Sequence, residues 1–204
     1  MSRNLICFEF RVVTSGISLD DRADVDAILG AFDGEASLEA TTTRLVEIVL
    51  TLDGEDPIGT VEAALSRIES ALPKVAVHWI DQELVGISDI AQLIGQSRES
   101  VRLYADGKRG GGAFPAPVGV VGDSVRVWRW ADVDAWLRQH AGYDFPTHPL
   151  PAWAIDVTNA SLHTRQRRAK RVGARKSRKK SQASAVAATG SRKRSDRESV
   201  RRAG

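Results

Sequence analysis

The residues best suited to recognise another molecule are concentrated in one segment, residues 87–104, which reads ISDIAQLIGQSRESVRLY. Within it, Arg98 and Arg102 are spaced so that on a helix both side chains project from the same face. An arginine guanidinium can bind a guanine edge or a phosphate through two parallel hydrogen bonds. The neighbouring acidic and hydroxyl side chains can accept from a cytosine amine or contact phosphates. The predicted contact residues are Ser97, Arg98, Glu99, Ser100 and Arg102.

Two short helices and a tight turn are needed to hold these side chains outward. Ser88 is predicted to cap the first helix, because its hydroxyl can accept from a free backbone N–H there. The apolar side of that helix is predicted to consist of Ile90, Leu93 and Ile94. Gly95 follows where the chain must turn sharply, since glycine adopts a left-handed conformation without strain.

The second helix is predicted to begin at a serine cap and to turn its apolar side inward. Ser97 supplies the cap, while Val101 and Tyr104 are spaced to face the first helix. This is the layout of a helix-turn-helix, whose second helix enters the major groove of DNA N-terminus first. A purely structural corner between two helices would have a similar pattern.

A basic glycine-rich loop and a β-hairpin are predicted after the second helix. Lys108 and Arg109 lie in the loop GKRGGG, which lacks the spacing of a nucleotide-binding P-loop. We expect both to contact the DNA backbone, although a solvated linker would have the same composition. Valine-rich runs on either side of a Gly-Asp pair predict a hairpin wing, and its Arg126 and Arg129 are predicted to reach the minor groove or the backbone.

Three tryptophans near the hairpin are predicted to be core residues. Trp128, Trp130 and Trp136 fall at apolar positions of the returning strand and of a closing helix. We therefore interpret them as packing residues and not as platforms on which bases stack.

The N-terminal part of the chain predicts a sheet with two helices. Alternating apolar residues indicate strands at its beginning and end, and Asp56-Pro57 is typical of a helix start. The resulting order, β-α-β-β-α-β, is that of the ferredoxin-like fold. The predicted fold class is therefore α+β, with a ferredoxin-like domain over residues 1–83 and a winged helix-turn-helix over 84–141. From 142 to 204 a proline-containing linker and a disordered basic tail are predicted.

Charge is distributed very unevenly along the chain. Residues 1–85 have a net charge of −10 and residues 163–204 a net charge of +14, although the whole chain has only +3. Such asymmetry favours an anionic partner for the basic end. We expect the tail to bind DNA phosphates without recognising a base sequence. Two alternatives are open: the tail could bind RNA, or it could serve only to keep the protein in solution. The predicted backbone contacts are Arg165, Arg167, Arg168, Lys170, Arg171, Arg175, Lys176, Arg178, Lys179 and Lys180.

No pattern in the sequence indicates catalysis, a cofactor or a membrane partner. The four histidines are dispersed, and none lies in an HExxH motif or beside a cysteine, so no metal site is expected. Cys7, the single cysteine, rules out a disulfide scaffold and has no evident activating partner. No nucleophile-elbow or Rossmann glycine motif occurs. Without an apolar run long enough for a membrane span or a secretory signal, we expect a cytoplasmic, nucleoid-associated protein.

Residues 84–140 resemble the winged helix-turn-helix of the AlpA, excisionase and MerR-like group. The matching phrases are ISDIAQLIGQSRESVRLY, FPAPV and VWRWADVDAWL. Residues 1–140 as a whole are similar to small actinobacterial DNA-binding regulators in which a βαββαβ domain precedes such a helix-turn-helix. The resemblance implies sequence-specific binding to duplex DNA, with residues 97–102 on the recognition helix. The long basic tail departs from that pattern.

Together these features predict a bacterial transcriptional regulator that binds duplex DNA and is not an enzyme. One alternative is an architectural, nucleoid-associated protein with shallow sequence preference, and another is an antitoxin-like protein-interaction module. The acidic domain of residues 1–83 is predicted to form a homodimer, which would present two helix-turn-helix units to paired half-sites. An effector or a protein partner could bind that domain instead, or its sheet could pack on the second domain.

Overall fold

A computed structural model describes residues 5–41, 44–122, 124–168 and 170–171. Among these residues the chain forms six helices and eight strands, so the expected α+β class is confirmed. The chain divides into two units, Met1–Leu162 and His163–Gly204. The first unit contains both hydrophobic cores of the described residues.

The first half of the larger unit follows the predicted order of strands and helices. Asp21 caps the first helix by accepting from Ala23 N–H at 3.0 Å, and Asp56 caps the second by accepting from Gly59 N–H at 2.7 Å. Each carboxylate thus satisfies a backbone donor that the helix leaves free. The elements are β1 (Ile6–Ser15), α1 (Arg22–Ala31), β2 (Ala36–Ala40), β3 (Val46–Gly54), α2 (Pro57–Ala71) and β4 (Ala76–Ile80).

These four strands form one sheet in the order β2-β3-β1-β4, and every neighbouring pair is antiparallel. Phe10 of β1 pairs with Leu50 of β3, and both side chains are buried. They pack in one core with Ile28 of α1 and Ile68 of α2. Because side chains alternate across a strand, the odd-numbered residues of β1 lie on the opposite face.

The second half of the larger unit has its own sheet and core. Its elements are β5 (Leu84–Val85), α3 (Ile87–Leu93), α4 (Arg98–Ala105), β6 (Gly119–Val121), β7 (Val125–Arg129) and α5 (Trp130–His140). The strands pair in the order β5-β7-β6. Trp128 and Trp136 are buried in the core and Trp130 packs partly buried against it, which confirms that all three are packing residues. The indole N–H of Trp128 donates to the Pro115 carbonyl oxygen at 2.9 Å.

The structure corrects the prediction that little fixed structure follows residue 142. β8 (His148–Pro149) pairs in parallel with β1, and a helix, α6, covers residues 152–168. Leu150, Ile155 and Leu162 are buried in the same core as the first sheet. Sequence reasoning missed this helix, although apolar residues recur in it every three or four positions. The prolines before it and the basic run at its end favoured a disordered interpretation instead. The predicted disorder of residues 172–204 lies outside the described residues.

Side chains hold α6 and β8 against the first sheet. The Asn159 amide accepts from Ile80 N–H at 2.7 Å and donates to the Ile80 carbonyl oxygen at 2.9 Å, so it pairs with β4 as a neighbouring strand would. Arg138 of α5 donates to the Thr147 carbonyl oxygen at 2.6 Å, and the Thr147 hydroxyl donates to Glu9 at 3.2 Å. Residues 147–159 are therefore held against the sheet by β8 and α6 and are not a linker.

We predict that Ile155→Ala lowers the free energy of unfolding by about 2–5 kcal/mol, because it removes a buried side chain and leaves a cavity. Val157→Ala is the matched control, since Val157 lies on the same helix but is 54 % exposed. That control is expected to change stability by no more than about 0.5 kcal/mol. Urea unfolding of both variants measures the difference, and equal effects would mean that α6 does not belong to this core.

Candidate nucleic-acid interface

The first helix of the predicted pair, α3, begins earlier than the sequence indicates. Its N-cap is Gly86, whose N–H donates to the Asp89 carboxylate at 2.8 Å, so the prediction that Ser88 caps the helix is wrong. Ile90 and Ile94 are buried as expected, whereas Leu93 is 53 % exposed. Leu93 was assigned to the buried side because it is apolar, but in the structure it lines a cleft beside the sheet.

The turn and the start of α4 have the predicted local geometry. Gly95 has a φ of +63°, in the left-handed region that favours glycine. The N–H of Gln96 then donates to the Ala91 carbonyl oxygen at 2.9 Å, which ends α3. Ser97 is the N-cap of α4, and its hydroxyl oxygen accepts from Ser100 N–H at 3.1 Å.

α4 presents a polar face outward and an apolar face inward. Val101 and Tyr104 are buried, while Arg98, Glu99 and Arg102 are exposed. The Arg102 guanidinium lies 3.7 Å from the Glu99 carboxylate, an exposed pair that is worth well under 1 kcal/mol in general. Arg98 has no ion pair among the residues that the structure describes. The predicted contact residues thus lie together at the exposed N-terminal part of this helix.

The basic loop after α4 is packed and not an open linker. The N–H groups of Lys108 and Arg109 both donate to the Leu103 carbonyl oxygen, at 2.8 and 3.1 Å. The Arg109 guanidinium lies 5.4 Å from the centre of the Tyr104 ring, and Lys108 lies 3.8 Å from the Asp106 carboxylate. Both side chains are exposed, so they remain at the surface beside the C-terminal end of α4.

The two arginines of the hairpin have partners within the chain. Arg126 lies 3.2 Å from the Asp106 carboxylate and 5.4 Å from the centre of the Trp128 ring. Arg129 is only 25 % exposed and lies 3.4 Å from the Asp156 carboxylate. Sequence reasoning missed both carboxylates, because one lies 20 positions before its arginine and the other lies 27 positions after it. The predicted contact set therefore divides into exposed α4 residues and internally paired hairpin residues.

The hairpin tip itself is apolar. Val118, Val120, Val121 and Val125 are each between 48 and 61 % exposed. This tip offers no charged side chain to a phosphate among the described residues, so the hairpin differs from the basic wing that the sequence suggested.

Half of the predicted tail contacts lie among the described residues. Arg165, Arg167, Arg168, Lys170 and Arg171 are helical and exposed, within the second unit. Arg175, Lys176, Arg178, Lys179 and Lys180 lie outside the described residues.

A cleft of about 300 Å³ separates the open face of the first sheet from α3 and α5. Arg11 of β1 lies at its base, 2.8 Å from Glu39, 3.5 Å from Glu47 and 3.5 Å from Glu83. Burial raises the pKa of Glu83 to about 7; the charge of Arg11 opposes this shift, and the charges of Glu9 and Asp81 add to it. Sequence reasoning missed this cluster, because its members come from β1, β2, β3 and the segment after β4.

Reactive groups are few in the described part of the chain. Burial and the neighbouring Asp53 carboxylate raise the pKa of the Cys7 thiol, which keeps it protonated and weakly nucleophilic. No group of three or more His, Cys, Asp or Glu side chains that could hold a metal ion occurs among the described residues. Within the same residues, every helix is too short or too polar to cross a bilayer.

We predict that Gly95→Ala destabilises the α3–α4 pair by about 1–2 kcal/mol, since an L side chain is strained at a positive φ. No atom lies within 4 Å of the position of an added Cβ, so strain and not a clash is being tested. Gly111→Ala is the control, because that position is equally open and its φ lies outside the left-handed region. Thermal unfolding of the two variants checks the prediction, and an unchanged midpoint for Gly95→Ala would contradict it.

Comparison with known proteins adds no relative to this picture. No family model matches the chain, no curated protein matches it, and no solved structure matches it. The functional assignment therefore depends on the geometry of the described residues.

Proposed function

We propose that the chain is a sequence-specific duplex DNA-binding protein, a bacterial transcriptional regulator, with α4 as its recognition helix. The observation that carries the proposal is that α4 is amphipathic, with one buried apolar face and one exposed charged face. Val101 and Tyr104 anchor the helix in the core, while Arg98, Glu99 and Arg102 point away from it at a capped, exposed N-terminus. That is the end of a recognition helix which meets base edges in the major groove.

The dimensions of α4 suit such a groove. An α-helix with its side chains is about 10–12 Å across, and the major groove of B-DNA is about 12 Å wide. Arg98 and Arg102 are four positions apart and share a face, so one can bind a guanine while the other binds an adjacent base or phosphate. Glu99 is able to accept from a cytosine amine and repels phosphate where no such donor is present.

The surrounding elements favour a winged helix-turn-helix interpretation. α3 and α4 form the helix pair, the β6–β7 hairpin is the wing, and α5 closes the core. The βαββαβ order and the strand order β2-β3-β1-β4 likewise favour a ferredoxin-like interpretation of residues 1–83. Both interpretations agree with the group that the sequence resembles.

The other predicted contacts contribute unequally in this proposal. Lys108 and Arg109 are exposed beside α4 and are placed to bind phosphates. Arg126 and Arg129 must first leave Asp106 and Asp156, so their net contribution to binding is smaller. The main specificity is therefore assigned to residues 97–102.

The basic C-terminal region adds attachment without sequence choice. The exposed cations at 165, 167, 168, 170 and 171 belong to a stretch with a net charge of +14 from 163 to 204. Neutralising phosphates releases counterions, which strengthens binding at low salt to any sequence, RNA included. This observation also favours a second candidate function, an architectural protein of the nucleoid, in which these cations dominate.

A homodimer through residues 1–83 stays a prediction. The face of the sheet opposite α1 and α2 carries Glu9, Arg11, Glu39 and Glu47, so a dimer formed there would be polar. A dimer would present two copies of α4, which would bind two paired half-sites on the DNA.

We predict that Arg98→Ala weakens binding to the preferred DNA site by about 1–3 kcal/mol and relaxes base preference at one position, because a bidentate base contact is lost. Arg22→Ala is the matched control, since Arg22 on α1 is 92 % exposed and remote from α4 in sequence. Titration of enriched and random duplexes measures both effects. An equal loss on both duplexes would show that Arg98 contacts phosphate only.

We further predict that a chain ending at residue 162 keeps its site preference and loses most of its salt dependence. If about eight tail cations engage phosphates, they make the slope of the logarithm of the binding constant against the logarithm of the salt concentration more negative by about 7 in the full chain. Binding of both chains to a randomised duplex pool across salt concentrations measures this. Loss of all sequence preference in the truncated chain would favour the architectural function.

A further inference from the structure

Glu83 is one of several points at which the two halves of the larger unit are joined; the contacts of Arg138 with Thr147 and of Arg129 with Asp156 are others. It lies in the three-residue connection between β4 and β5. Its carboxylate is 3.5 Å from Arg11 of the first sheet, while its carbonyl oxygen accepts from Trp130 N–H of α5 at 2.9 Å. Its own N–H donates to Asp81 at 3.2 Å. One residue thus contacts both halves, through its side chain on one side and its backbone on the other.

The surroundings of the Glu83 side chain hold more carboxylates than cations. β1 contributes Glu9 and Arg11, and the connection before Glu83 contributes Asp81. The same cleft is lined by Glu47 from β3 and Asp89 from α3. Arg11 is the only cation among its lining residues in the described chain. That guanidinium is shared with Glu39 and Glu47, so it cannot be dedicated to Glu83.

Burial adds to this crowding. The Glu83 side chain is only 17 % exposed, so water solvates its carboxylate poorly while the two halves are in contact. A charged carboxylate in that position is disfavoured by desolvation and by the like charges of Glu9 and Asp81. Moving the helix-turn-helix half away from the sheet would return the group to water.

We propose that Glu83 is a pH-sensitive hinge: while it is protonated the helix-turn-helix half stays closed on the first sheet, and its ionisation opens the cleft between them. This regulates the placement of α3 and α4, the elements to which DNA binding is assigned. The hinge does not depend on that assignment, because it concerns contacts within the chain.

The direction and size of the response follow from linkage. In the closed arrangement the pKa of Glu83 is about 7. In an open cleft water would hydrate the carboxyl group, and its pKa would return to the ordinary value of 4.5. Between pH 4.5 and pH 7 the closed form therefore keeps the proton on Glu83 and the open form loses it. The ratio of closed to open molecules falls as the pH rises through this range and levels off above pH 7. Between pH 6 and pH 8 the ratio is expected to fall about tenfold.

The test measures the distance between the halves in the full chain without DNA. Spin labels are placed on cysteines introduced at Ser37 of β2 and Gln92 of α3, both exposed, in a background carrying Cys7→Ser. Distance distributions are recorded from pH 5 to pH 9. We expect a longer-distance population that grows about tenfold relative to the short one between pH 6 and pH 8.

Three variants identify the responsible group. Glu83→Gln, which keeps the shape and removes the charge, should give the short distance at every pH. Glu9→Gln should move the transition to lower pH, because Glu9 raises the pKa of Glu83 through its charge. Glu62→Gln is the control on the exposed face of α2 and should behave as the parent chain does.

Two results would overturn the proposal. One is a distance distribution that does not change from pH 5 to pH 9 in the parent chain. The other is a Glu83→Gln chain that keeps the parent's response, since a group other than Glu83 would then be responsible. Because no DNA is present, neither result bears on the proposed DNA binding.

Discussion

The alternation of side chains along β1 is the constraint on which most of this structure depends. One face of the strand places Phe8, Phe10 and Val12 in the core, against helices from both ends of the larger unit. The other face holds Glu9 and Arg11, which line the cleft beside α3 and α5. A slip of one residue would exchange the two faces, so core packing and the charged junction are set by the same register.

β1 also explains why the chain needs its segment after residue 147. β4 pairs only with residues 12–15 of β1, while β8 pairs with Phe8 and Glu9 nearer the start of the strand. The Asn159 amide satisfies the backbone of Ile80 in β4. Without these contacts, backbone groups and apolar side chains of the first sheet would be exposed to water. The C-terminal helix is thus part of the domain that it follows in sequence.

The candidate interface follows from the same balance between burial and pairing. On α4, burial of Val101 and Tyr104 determines which side chains face outward. On the hairpin, Asp106 and Asp156 engage the arginines, so positive charge in the sequence does not translate directly into available positive surface. Arg98 and Arg102 remain accessible because α4 buries its other face.

Local patterns in the sequence were sufficient for the elements whose cause is local. Asp56 and Ser97 cap helices as predicted, and Gly95 adopts a left-handed turn, because each feature involves residues within a few positions. The order of strands and helices followed from hydrophobic periodicity for the same reason. The amphipathic pattern of α4 likewise placed its charged side chains at the surface.

Only the tertiary structure decided what distant residues do to one another. The exposure of Leu93, the pairing of Arg129 with Asp156, and the burial of Ile155 each depend on an element far away in the chain. The raised pKa of Glu83 depends on groups from β1 and from its own connection being enclosed together. Solvation and charge pairing are set by distance in space. The sequence by itself therefore determined the elements of the first sheet, the α3–α4 pair and the caps at Asp56 and Ser97, while tertiary packing determined which charges are free.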